Sequence, residues 1–286
     1  GGKVKVTESA PEVTANCQLA PGAAFHLDAA NLDSFVFEES GGTNFIRSWY
    51  SPNGIPARQM TVERRPWLTP DEADYLNGKP VVDFGVYKMN SGSVISRPGG
   101  RCMSLGVPLD SVRSVFIVRG SQNGGGALLG ETVDSFSDWT RQGDSVATLE
   151  RAIIGSPSAE VSSGEFYLDG VLTNCNKALP TGGYEIIDVH PSASTHVSAL
   201  AVYHGAYMYG GQRIAELVIY QRPLSEREKV ATRNYLVKKW FPERELQALP
   251  EDEESDLTLQ LASVAADGSV IDAETPVSVP FAEGAG

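Results

Sequence analysis

Cysteine is scarce in this chain, with only Cys17, Cys102 and Cys175 among 286 residues. Three widely separated thiols cannot build a disulfide framework, and the odd number leaves at least one unpaired. A single Cys102–Cys175 bridge and a set of small buried hydrophobes both fit the spacing. The second reading is preferred, because spacing says nothing about Cα separation. Histidine is as thin: His26, His190, His196 and His204 include no His-Glu-x-x-His arrangement, so a zinc site is not expected. His26 is expected to bond a buried carbonyl. No apolar run approaches the ~18 residues of a membrane span, so no membrane insertion is expected. The opening Gly-Gly-Lys-Val-Lys-Val also lacks the apolar core of a signal peptide. The chain starts in a strand-like run (Val4, Val6, Val13) and stops at Gly-Ala-Gly, so it reads as a piece of a longer protein whose targeting signals lie elsewhere.

Basic clusters are missing too. The net charge is −13, and residues 243–286 hold eleven acids and one base, leaving −3 for the first 242 residues. A chain with this balance is a poor partner for nucleic acid or an anionic membrane surface. Glu251-Asp252-Glu253-Glu254 reads as a solvated linker, since no glycine turn organises those carboxylates around calcium.

What the chain does have is concentrated between Gly210 and Trp240. Arg213–Tyr220 is an apolar, β-branched run of strand length, entered through two glycines and closed by Pro223, and it reads as a strand buried on both faces. Ser225 with Glu228 three residues later has the capping-box spacing, so a helix starts there. Val230, Val237 and Trp240 give that helix an apolar stripe bordered by Leu236 and Phe241. Lys238 and Lys239 suit its negative end before Pro242 stops it.

Elsewhere short strands alternate with turn chemistry. Val112–Val118, Val146–Ile154, Tyr184–Val189 and Val197–Tyr203 read as strands. Asp169-Gly170 between Phe166-Tyr167-Leu168 and Val171-Leu172-Thr173 predicts a two-residue hairpin. A short helical turn is expected behind Thr69 as cap. Residues 257–286 alternate around Asp267-Gly268 and read as an extra hairpin or the start of a following β domain. Residues 1–18 read as a strand or linker from a preceding region, 19–242 as the main domain and 243–256 as an acidic linker. Many short strands with one terminal helix describe an all-β sandwich.

Four stretches carry a resemblance. Ile214–Ser225 looks like the closing strand and turn of the concanavalin A-like lectin/glucanase superfamily, in its bacterial laminin-G-like branch. Phe25–Ala29 resembles the opening strand, Gly78–Phe84 an early core strand and Phe166–Leu172 the middle hairpin, all in order, over residues 19–242. The resemblance implies a jelly-roll β-sandwich of two antiparallel sheets with one C-terminal helix packed on it. Calcium is common in related folds and stays open as a cofactor, because their ligand pattern maps onto no named positions here.

Catalytic patterns are weak. Glucanases of the superfamily place paired acids on one strand face in a Glu-x-Asp-x-x-Glu run, and this chain has none. Glu216, alone between apolar neighbours, is expected to satisfy backbone or arginine donors under the terminal helix. Gly143-Asp144-Ser145 with Asp188 and His190 has the residue types of a hydrolase triad, but Asp188-Val189-His190 lacks the spacing the matching esterase family requires, and a turn before a strand is the preferred reading. Gly124-Gly125-Gly126 lacks the following Gly-Lys-Ser/Thr of a phosphate loop and is read as a hairpin tip.

Surface aromatics remain. Trp49, Trp67, Trp139, Tyr207 and Tyr209 fall in or beside expected loops, where a ring can stack on the apolar face of a pyranose. Trp139 with Asp138 and Arg141, joined by Tyr207 and Tyr209, is the expected ligand-binding set. The sequence therefore points to a non-catalytic carbohydrate-binding or adhesion module of a larger extracellular or cell-surface bacterial protein. The alternatives are a glycan-cleaving enzyme, with two carboxylates about 5–10 Å apart in one groove, and a structural spacer, with no aromatic-lined concavity.

Overall fold

A computed structural model describes residues 17–85, 88–89, 101–121, 128–130, 139, 153–154, 157–203 and 208–250, with 88–89, 121, 203 and 208–209 in backbone only. It also describes the backbone of 258–259, 262–264, 270–273 and 277–278. The chain divides into two units, Gly1–Leu249 and Pro250–Gly286.

In the first unit the early strands are Phe25–Asp28 (β1), Phe35–Ser40 (β2), Thr43–Tyr50 (β3), Pro56–Arg58 (β4), Trp67–Leu68 (β5), Val82–Asp83 (β6) and Lys88–Met89 (β7). Met103–Val112 (β8), Ser114–Ser121 (β9), Leu129–Gly130 (β10), Glu165–Leu168 (β11), Val171–Thr173 (β12) and Tyr184–His190 (β13) follow. Then come Thr195–Leu200 (β14), Val202–Tyr203 (β15), Met208–Tyr209 (β16) and Gln212–Tyr220 (β17). The helices are a single turn, Ala159–Ser162 (α1), and Glu226–Trp240 (α2). The fold is an all-β sandwich with a C-terminal helix.

The antiparallel ladder runs β10-β14-β8-β4-β3-β5-β6-β17-β9-β13-β11-β12, with β2 on β3 and β1 on β17. β5 is the corner: Phe45 of β3 pairs with Trp67, and Trp67 pairs with Asp83 of β6, so this short strand hands the ladder from one layer to the other. Ile46, Trp49, Leu105, Leu109 and Val197 from one layer pack against Leu27, Ile117, Ile187 and Leu217 from the other in a single core. Alternation then sends Phe116, Val118, Ile186, Val218 and Tyr220 to the opposite face, where Leu236, Val237, Trp240 and Phe241 cover them.

Val112–Val118 is two strands, not one. β8 pairs with β4 and β14 whereas β9 pairs with β13 and β17, so the apolar run changes layer at Arg113, whose N–H bonds Tyr220 O at 2.9 Å. Val197–Tyr203 is likewise divided, at Ala201, which adopts φ 54°. Of Val146–Ile154, residues 146–152 lie outside the described residues, and Ile153 and Ile154 are core residues in a bend. The Asp169-Gly170 turn has φ 49° and φ 80°, the positive pair that a type I′ hairpin needs. Thr69 caps no helix: its hydroxyl accepts from Val81 N at 3.2 Å, and the short helical turn is a 3-10 turn at Glu72–Asp74.

The capping box forms as read, with Glu228 N donating to Ser225 Oγ at 3.2 Å and Ser225 N to Glu228 Oε2 at 2.9 Å. The buried face of α2 is more polar than the apolar stripe suggested. It comprises Lys229, Thr232, Arg233 and Asn234 as well as Leu236, Val237 and Trp240, while Val230 is half-buried. None of the three cysteines forms a disulfide, and Cys102 and Cys175 are buried, so no Cys102–Cys175 bridge exists. Burial raises the Cys102 thiol to about 11.

Residues 1–16, most of the expected N-terminal segment, and 251–257, which hold the acidic run, lie outside the described residues. Residues 244–247 do not behave as linker, since Arg244 Nη1 is 2.7 Å from Asp169 Oδ1 and Gln247 bonds Asn234. In the second unit Thr258–Leu259 (β18) pairs with Val277–Ser278 (β21), and Ala262–Val264 (β19) with Val270–Ala273 (β20).

Candidate functional site: an aromatic cavity at the sheet corner

The corner at β5 leaves a concavity of about 660 Å³. Gly41 and Gly42, at φ 60° and φ 78°, turn the chain tightly from β2 to β3, which brings Phe37 and Thr43-Asn44-Phe45 to its rim. The Phe45–Trp67 pairing sets two half-buried rings edge to face, 6.4 Å apart at 83°. The far wall is Thr69, Pro70 and Tyr75, held by the Thr69–Val81 bonds. Phe37 is 40% exposed and adds an open ring to the rim.

Arg101 completes the wall. Its backbone N–H bonds Phe84 O at 2.9 Å, its Nη1 donates to Arg65 O, and its guanidinium lies 4.4 Å from the centroid of Trp67 and 4.8 Å from that of Phe45. Both contacts are cation–π interactions, each about 0.5–2 kcal/mol. Burial lowers the Arg101 pKa from its ordinary value, while the charges of Asp83 and Glu63 pull it back. The described lining residues include threonine, asparagine and tyrosine but no carboxylate. The site thus offers ring faces, neutral hydrogen-bonding groups and one cation.

The expected ligand-binding set is placed differently. Trp139 is only 2% exposed and belongs to the core between the layers, so its ring faces protein and is not available to stack on a sugar. Asp138, Arg141 and Tyr207 lie outside the described residues, as do Gly124-Gly125-Gly126 and Gly143-Asp144-Ser145. Tyr209 lies on β16 opposite Val202 and Lys88. Trp49 is fully buried, stacked 5.2 Å from Phe35. Of the aromatics singled out whose side chains are described, Trp67 alone is placed on this cavity. Arg101, Phe45, Phe37 and Tyr75 were not anticipated. The one sequence signal for them is a Gly-Gly turn leading into a strand with Phe45 beside Asn44.

Two polar clusters under α2 do structural work. A register shift in β17 between Ile214 and Glu216 turns both Ala215 and Glu216 toward the helix. Glu216 Oε1 lies 2.8 Å from His26 Nε2, and Oε2 accepts from Lys239 Nζ at 2.7 Å and Trp240 Nε1 at 2.6 Å. His26 therefore meets a carboxylate where a carbonyl was expected, and the donors to Glu216 are lysine, histidine and indole, with no arginine. Burial alone would raise the Glu216 pKa, but the His26 hydrogen bond and the Lys239 charge outweigh it and hold the group below the ordinary carboxylate range. Glu216 has no exposure to solvent, so no substrate reaches it.

In the second cluster His190 Nδ1 is 3.1 Å from Ser114 Oγ, and His190 Nε2 is 3.5 Å from Asp188 Oδ2. These are the residue types of a triad, yet Asp188 Oδ2 already accepts two bonds from Arg233, at 3.2 and 2.5 Å, and Ser114 is fully buried. The arrangement ties α2 to β13. A smaller cavity of about 270 Å³ adjoins it.

Among the described residues no group of three or more His, Cys, Asp or Glu is placed to hold a metal ion. Among them also no helix is long and apolar enough to cross a membrane. No family model, curated protein or solved structure matches the chain.

Proposed function

We propose that the sandwich is a non-catalytic carbohydrate-binding or adhesion module of a larger extracellular or cell-surface bacterial protein, and that it holds a saccharide in the cavity beside Trp67. The observation that carries this reading is the aromatic-walled concavity with neutral polar groups at its rim and no carboxylate among its described lining residues. Ring faces cover the C–H face of a pyranose while Asn44, Thr43 and Tyr75 suit its hydroxyls. One covered sugar face contributes ~1–2 kcal/mol, so affinity for a short oligosaccharide falls roughly in the micromolar to millimolar range. A glycan-cleaving site needs two carboxylates flanking one bond, a feature absent from these lining residues.

The test is a glycan array followed by titration and a reducing-sugar measurement on each hit. Trp67→Ala is expected to weaken binding about tenfold or more with the melting temperature nearly kept. Trp139→Ala, by contrast, removes a core ring and is expected to cost about 3–5 kcal/mol of stability with no selective effect on the site. Release of reducing ends would transfer the preference to an enzyme, and a blank array would transfer it to a spacer or protein-adhesion domain.

A further inference from the structure

We infer that the ligand of the corner cavity carries an anionic group, a carboxylate or a sulfate on the saccharide, and that Arg101 recognises it. The inference rests on the carbohydrate-binding reading and adds the substrate class.

Arg101 differs from the arginines whose charge is met directly by a carboxylate. Arg119 pairs with Glu185, Arg213 with Asp83, Arg222 with Glu228, Arg233 with Asp188 and Arg244 with Asp169. Arg101 has no ion pair among the described residues, and Asp83 and Glu63 act on its charge only from a distance. Asp83, one of the acids that influence it, is already bound by Arg213 Nε at 3.1 Å and by Gly85 N at 2.7 Å. A partly buried cation without a carboxylate partner is costly to keep, and an anion entering beside it offsets that cost.

The geometry suits such a ligand. Contact with the faces of Trp67 and Phe45 fixes the plane of the guanidinium, and the Arg65 carbonyl holds Nη1. With Nε buried and Nη1 held by the Arg65 carbonyl, a guanidinium so fixed has Nη2 left to meet carboxylate or sulfate oxygens, with little loss of side-chain freedom on binding. No acid stands among the described lining residues, and the two acids that act on Arg101, Asp83 and Glu63, are outside that lining. The aromatic rim then sits against the ring of the sugar while Arg101 takes its substituent.

The experiment is isothermal titration of the full chain with matched tetrasaccharides. The neutral probes are cellotetraose, galactotetraose and mannotetraose. The acidic probes are tetramers of glucuronate, galacturonate and mannuronate, and a sulfated galactose tetramer separates sulfate from carboxylate recognition. At least one acidic probe is expected to bind about tenfold or more tighter than its neutral counterpart. That advantage should shrink as salt rises from roughly 0.05 M to roughly 0.5 M. Arg101→Gln should abolish the advantage of acidic over neutral probes, whatever it does to the neutral affinity itself, while Arg101→Lys, keeping the charge without the planar guanidinium, should restore part of it. Because Arg101 packs on two rings, the comparison of probes and salts on the unaltered chain is the primary readout and needs no variant to fold. Equal binding of neutral and acidic probes that is lost in Trp67→Ala would overturn the anionic class and leave the carbohydrate reading standing. Binding of no probe would overturn both.

Discussion

The indole N–H of Trp240, the last residue of α2, donates to Glu216 on the central strand at 2.6 Å. The ring is 1% exposed and the carboxylate fully buried, so one contact closes the helix onto the sandwich through both packing and a charge-assisted hydrogen bond. Trp240→Ala removes the ring and the donor, and is expected to lower stability by about 3–5 kcal/mol. Trp240→Phe keeps most of the packing but leaves Glu216 Oε2 with Lys239 as its remaining donor, which should cost about 1–3 kcal/mol. Urea unfolding of both variants checks this. A midpoint unchanged in Trp240→Ala would mean that the helix rests on the surface without anchoring there.

The same carboxylate makes stability depend on acid. Its folded pKa is lowered, with burial opposing and the His26 and Lys239 interactions prevailing. The folded state therefore favours the ionised form more than the unfolded state does. The stabilisation is fully present above the unfolded carboxylate value and is lost as pH falls through the folded one. Glu165 and Glu228, lowered by Lys229 and Arg222, add to the same acid limb. Chemical denaturation at several pH values should show stability falling below about pH 4.5. Glu216→Gln should be less stable near neutrality and show a flatter acid limb. An unchanged limb in that variant would sink the assignment.

Local grammar explains what was legible in the chain. The Ser225–Glu228 box and the Asp169-Gly170 turn depend on residues a few positions apart, and both form as read. The facing of an aromatic ring depends instead on which strands become neighbours. Trp139 and Trp67 both fell beside expected loops, yet one is in the core and the other walls the cavity. Arg101 reaches Trp67 and Phe45 across 34 and 56 residues of chain, a proximity that exists only once β5 joins the two layers. Glu216 was expected under the helix, but its donors were not, because the β17 register shift that aims it has no signature in the apolar run.

Composition places residues 243–249 with the acidic linker, but their contacts make them a clamp. Gln247 exchanges two bonds with Asn234, Nδ2 to O at 2.8 Å and N to Oδ1 at 2.9 Å, while its side chain accepts from Arg233 and donates to Gly170 O at 3.1 Å. Arg244 bonds Asp169 of the same hairpin. The segment therefore fastens α2 to the β11–β12 turn, and Asn234, fully buried, loses partners for its amide without it. Two truncations separate this clamp from the tail. Ending the chain after Pro250 retains every one of these bonds, and the unfolding midpoint should stay nearly the same. Ending it after Pro242 removes them all, leaves buried polar atoms unpaired and should cost about 2–4 kcal/mol. Equal midpoints for the two truncations would show that the clamp contributes nothing. A drop already present in the longer one would mean that residues 251–286 support the sandwich.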